Sequence, residues 1–174
     1  IFVLGKPVAG GLPAAVWGMT DALSERYEAF DATRAPGFSG IGTTLSANPL
    51  QFAAIRATLA EVMTPANYAH MEAGAERLCS GLAAAIARHG APWHAVRVGA
   101  RVEFICHPMP LRNGSESDVA HKPALEKAIH LALVNRGCLI APFHNMMLVS
   151  PATGDDQIDR LIAAFDAICG ELMA

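Results

Sequence analysis

Two short stretches near the start of the chain hold side chains suited to chemistry. Lys6 is one of three lysines among 174 residues. It follows the apolar run Ile1-Phe2-Val3-Leu4 and Gly5, and precedes the turn Pro7-Val8-Ala9-Gly10-Gly11-Leu12-Pro13. Lys122 and Lys127 belong instead to a polar helix start. A lysine delivered into a site by a buried strand is disfavoured as ammonium, and its neutral amine can condense with a carbonyl to form a Schiff base. Pyridoxal phosphate is the leading cofactor that needs such an amine, since its ring then withdraws electrons from the α carbon of a bound amino acid. The same position also suits a lysine that extends from a strand end into solvent. A Walker-type phosphate loop is excluded, because there the glycines precede the lysine. The second stretch is Thr43-Thr44, a pair of hydroxyls just upstream of a helix start at Asn48-Pro49. Hydroxyls and free backbone N–H groups at such a place form an anion site.

The elements that must position these residues alternate in type. Ile1 to Leu4 and Ala14 to Met19 read as two interior apolar strands around the glycine-rich turn. Thr20 or Asp21 caps a helix to about Phe30, and Arg34 to Thr44 has the glycine and proline content of a loop. Asn48 as N-cap with Pro49 at the first helical position opens a helix through about Val62, and Thr64-Pro65 opens another to about His89. A strand near Val96 to Cys106 follows, then a polar connection through Arg112-Asn113-Gly114-Ser115. A helix from about Pro123 to Asn135 stops at Gly137. Cys138 to Val149 reads as one or two strands interrupted by Pro142. Asp155 to Leu172 reads as an amphipathic helix whose apolar face is Ile158, Leu161, Ile162, Phe165, Ile168 and Cys169.

The run Leu4-Gly5-Lys6-Pro7-Val8-Ala9-Gly10-Gly11-Leu12-Pro13 resembles the LGKxxxGGLP segment of class III, pyridoxal-phosphate-dependent aminotransferases and the glutamate-1-semialdehyde aminomutases near them. Gly42-Thr43-Thr44-Leu45-Ser46-Ala47-Asn48-Pro49-Leu50 is similar to that family's GTLSGNPL run. Arg136-Gly137-Cys138-Leu139-Ile140-Ala141-Pro142 is similar, more loosely, to its RGVYLAP strand. The resemblance implies that Lys6 is the catalytic, cofactor-carrying lysine. It also implies that Thr44, with Thr43 as the alternative register, donates to the cofactor phosphate of the neighbouring subunit. Further implications are an α/β fold, namely the C-terminal part of a fold-type I transferase, and a homodimer with a shared active site. Residues 1–62 would complete the large cofactor domain and residues 63–174 would form the small α+β domain. The reaction implied moves an amino group from an amino acid or amine to a keto acid; an aminomutase, an epimerase or a non-catalytic fragment are the alternatives. Phe143-His144-Asn145-Met146-Met147 lacks the glutamate of the aminomutase gate segment, which turns the expectation toward transamination.

Composition narrows the partners. The chain is 52% apolar with mean hydropathy +0.30, rich for a free domain, so a large interface is expected. Net charge is −3 and no basic stripe could follow a phosphate backbone, which argues against nucleic acid. No apolar run reaches bilayer length, and a cytoplasmic protein is expected. Cys79, Cys106, Cys138 and Cys169 are widely spaced, and the histidines, His144 included, show no ligand spacing, so no metal site is expected. The chain opens without Met inside an apolar run, so upstream sequence is expected; the resemblance places there an aspartate for the pyridine nitrogen, a stacking aromatic and a glycine-rich phosphate loop.

Overall fold

The computed structural model describes residues 1–38, 40–42, 44–141 and 145–174, and the chain divides into two compact units, Ile1–Thr64 and Pro65–Ala174. Thr43 and the Pro142-Phe143-His144 segment lie outside the described residues.

The first unit opens with an antiparallel pair, β1 (Phe2–Leu4) and β2 (Val16–Gly18), in the register Phe2 to Gly18, Val3 to Trp17 and Leu4 to Val16. A short 3-10 turn, Lys6–Ala9, lies between the two strands. Helix α1 (Asp21–Asp31) follows, then a loop, then α2 (Pro49–Ala57), which widens into a π-helical turn over Thr58–Val62, where Met63 N donates to Thr58 O at 2.9 Å. The strands occur where expected, but they are not interior within this unit. Phe2, Val3 and Trp17 are 70%, 65% and 51% exposed, because a two-stranded ribbon has neither a second layer nor further strands against its faces. Among the described residues of this unit only Val8, Ala9 and Thr58 are buried.

The second unit has a full core. Helix α3 (Pro65–His89) packs along α6 (Asp155–Met173), and a three-stranded antiparallel sheet lies against α3 in the order β3 (His94–Val98), β4 (Arg101–Ile105), β5 (Met146–Leu148). Helices α4 (Gly114–Ala120) and α5 (Pro123–Asn135) connect β4 to β5. Leu78, Leu82, Phe104, Ile129, Leu133, Phe165 and Ile168 are all essentially inaccessible, and the rings of Phe104 and Phe165 meet at 4.7 Å. Exposed ion pairs, such as Arg77 to Asp159 at 2.6 Å, trim the α3/α6 seam and add little to stability.

Where one strand was expected near residues 96–106, the chain forms a hairpin. Gly99, with φ +57°, supplies the left-handed residue its tight turn needs. The polar connection after Arg112 holds α4, which is begun by Asn113 Oδ1 accepting from Glu116 N at 3.0 Å. Of the strands expected over residues 138–149, the described residues form β5 alone.

Candidate active site

Lys6 is exposed, and its backbone carries φ +54°. A non-glycine residue in the left-handed region costs roughly 1 kcal/mol or more, and the following Pro7 narrows the choice further. Such a conformation persists only when the neighbouring chain holds it from both sides. Upstream, β1 is fixed by its pairing with β2. Downstream, Val8 and Ala9 are buried, Gly10 N donates to Pro7 O at 3.1 Å and Leu12 N to Ala9 O at 3.2 Å. Gly10 itself closes the turn at φ +61°, against Thr58. The lysine expected at the end of a buried strand therefore stands on a strained, anchored turn and is exposed. The desolvation assigned to it on sequence grounds is not supplied by the described residues.

Thr44 is exposed and begins the turn Thr44–Ala47 that leads into α2. Ala47 takes φ +59°, and Asn48 then caps the helix, its Oδ1 accepting from Leu50 N at 2.9 Å and Gln51 N at 3.4 Å. Pro49 has no N–H, and Phe52 N donates to Asn48 O at 3.1 Å. The first amides of α2 are thus committed within the helix start, with the exposed Thr44 upstream of it. The helix dipole still favours negative charge there.

No hydrogen bond or ion pair joins Lys6 to Thr44 among the described residues. They are connected through α2, whose Gln51 Nε2 donates to Pro13 O at 2.8 Å, just past the Lys6 turn. Nothing in the spacing of Gln51 marked it in advance; its only signal was its place one turn into a capped helix. Arg34 also escaped notice. Its guanidinium lies over the rings of Phe38, at 3.6 Å, and Phe30, at 4.6 Å, holding the loop after α1 to that helix. Trp17, expected in a core, is exposed on β2. Arg160, on α6, makes no ion pair among the described residues; it lines an open cavity of the second unit with Cys138, Ile140 and Gln157. His144 lies outside the described residues. The four cysteines are free, and no helix among the described residues is long and apolar enough to cross a membrane.

No family model matches the chain. A glutamate-1-semialdehyde 2,1-aminomutase of Desulfosudis oleivorans is 31% identical over 173 residues, which are 99% of this chain and 39% of that protein. An enzyme of the same name from Bacillus cereus is 33% identical over 175 residues, covering 98% and 38%. Among solved structures, a glutamate-1-semialdehyde aminomutase from Pseudomonas aeruginosa in complex with PMP superposes with TM-score 0.92 at 43% identity, over 98% of this chain and 39% of that one. A β-phenylalanine aminotransferase from Variovorax paradoxus matches with TM-score 0.75 at 24% identity and shows the same fold. This chain spans about 39% of the length of the curated relatives it matches, at their C-terminal end.

Proposed function

We propose that this chain, a member of the class III pyridoxal-phosphate-dependent aminotransferase family that corresponds to the C-terminal portion of its relatives, supplies the lysine and one phosphate ligand of an amino-group-transferring enzyme. Lys6 and either Thr44 or its neighbour Thr43 are the residues concerned. The reading has residues 1–62 ending the large cofactor domain and residues 63–174 forming the small one, in a homodimer whose sites are shared. The observation that carries it is the anchored turn at Lys6, which presents a primary amine from a strained backbone between a paired strand and a buried Val8-Ala9 step.

The side chains present fit the group. Lys6 Nζ suits its aldehyde, and the Thr44 hydroxyl, ahead of a helix whose own amides are already used, suits its phosphate. Pyridoxal phosphate supplies an electron-withdrawing ring that acidifies the α carbon of a bound amine. Lys6 Nζ would hold the cofactor through its aldehyde carbon and would be freed once a substrate amine took its place. As a free amine it would take the proton from the substrate's Cα and return it to the cofactor-derived carbon on the far side of the substrate nitrogen, the two sides of general base and acid catalysis by one group. Thr44 Oγ1 would donate to the cofactor phosphate across the dimer interface and so help to hold the group in place.

Transfer between two molecules is the reading we favour, because Phe143 to Met147 carries no glutamate. The aminomutase reading has its own support, since relatives at 31% and 43% identity bear that name. Incubating the full-length protein with a ¹⁵N-labelled amino acid and a keto acid separates the two. Label appearing in a new amino acid supports transfer. If no label reaches the keto acid while glutamate-1-semialdehyde is converted to its isomer, the mutase reading replaces it.

A further inference from the structure

In the first unit Gln51 Nε2 donates to Pro13 O at 2.8 Å, across 38 residues of sequence. Gln51 is half-buried, and its own backbone N–H is held by the Asn48 cap. One residue therefore ties the helix start that follows Thr44 to the exit of the turn that carries Lys6. The turn needs such a tie. Lys6 at φ +54°, Gly10 at +61° and Gly11 at +103° are three left-handed residues within six positions, in a unit with almost no core to hold them. The entry of the turn is held by the pairing of Leu4 with Val16, and its middle by the burial of Val8 and Ala9. Its exit is held at Pro13, which as a proline has no N–H and can be anchored through its carbonyl only.

We propose that Gln51 is a positioning residue for Lys6: its amide, by fixing the Pro13 carbonyl, keeps the Lys6 turn in the conformation that aims the amine. This rests on the reading of Lys6 as the cofactor lysine and adds a residue to it. Gln51 touches neither cofactor nor substrate in this role. It acts through the turn.

The test uses the full-length protein and two substitutions. Gln51→Met keeps the length of the side chain and removes the donor. Gln51→Glu removes the donor only while the carboxylate is ionised, and restores an O–H donor as pH falls toward about 4.3. In the cofactor-free protein, hydrogen exchange at the Gly10 and Leu12 amides is expected to quicken in Gln51→Met by roughly threefold to tenfold, the scale of one lost hydrogen bond, with the amides of α6 unchanged. In the loaded enzyme kcat is expected to fall by a similar factor with KM within about twofold, which marks an interaction acting on the chemical step. For Gln51→Glu, the ratio of kcat to wild type is expected to rise as pH falls from 7 to 5, whereas that of Gln51→Met stays flat. The proposal is overturned if Gly10 and Leu12 exchange at the wild-type rate in Gln51→Met, or if both variants lose kcat equally at every pH. It is also overturned if cofactor content alone falls. Borohydride labelling of the wild-type protein separates this outcome from failure of the functional reading: a label absent from Lys6 removes that reading, whatever Gln51 does.

Discussion

A Cβ placed on Gly10 would stand 3.2 Å from Thr58 Oγ1, so the turn that carries Lys6 is closed tightly against the π-helical end of α2. The contact joins the left-handed end of that turn to one of the few buried residues of its unit.

Gly10→Ala is therefore expected to cost about 1–2 kcal/mol through its φ of +61°, and more through the crowded Thr58 hydroxyl. Gly11→Ala, at φ +103° with nothing within 4 Å, carries the backbone cost alone. Denaturant unfolding of both variants, with and without Thr58→Ala, separates the terms. Thr58→Ala should recover part of the Gly10→Ala loss and none of the Gly11→Ala loss.

In the second unit a Cβ on Gly81 would run into Ile162 Cδ1 and lie 2.7 Å from its Cγ1, where α3 packs against α6. The branched side chain cannot withdraw by swinging its tip alone. Gly81→Ala is expected to destabilise by about 1–3 kcal/mol. In an Ile162→Ala background the same substitution should cost almost nothing, since alanine is the better helix former. Equal costs in the two backgrounds would rule out the contact as the cause.

Burial pushes the Cys106 thiol from 9.0 up to about 12, and the Cys169 thiol to about 11. A raised folded-state value means that the folded protein keeps protons which the unfolded chain gives up. This contribution is fully present below about pH 9 and is lost as pH rises through about 11 and then 12. Stability measured between pH 8 and 11 should fall less steeply in Cys106→Ala than in wild type. A neutral disulfide reagent at pH 8 should leave Cys106 and Cys169 unlabelled until denaturant is added.

Thr44→Val is expected to weaken cofactor binding by roughly tenfold to a hundredfold, the loss of one hydrogen bond to a charged group, with the dimer intact. Thr43→Val serves as the register control. A larger loss from Thr43 than from Thr44, measured by equilibrium dialysis against pyridoxal phosphate, would move the assignment by one residue.

Helices were legible where termini carried their own chemistry. Pro65 and Pro123 open α3 and α5 where proline at a first helical position predicts them, and Gly90 and Gly137 follow their ends in the left-handed region. The β3/β4 hairpin was hidden because Gly99-Ala100 interrupts the apolar pattern too briefly to read as a turn. Helix α4 was hidden because Gly114-Ser115-Glu116-Ser117-Asp118 is polar all round, and only the Asn113 cap betrays it. At the site, the identity of Lys6 and the hydroxyls before Asn48 were visible as residue types. The left-handed turn, and the Gln51 amide that reaches 38 residues back to Pro13, were not. Both depend on tertiary closure, which no local pattern encodes.

Whether Lys6 carries the cofactor is decided by chemical labelling. Full-length protein purified with pyridoxal phosphate, reduced with borohydride and digested, should yield one pyridoxyl-modified peptide with the label on Lys6, and Lys6→Ala should yield none while retaining its fold. A label on Lys122, Lys127 or any other lysine, or no label in a protein that binds the cofactor, would contradict it.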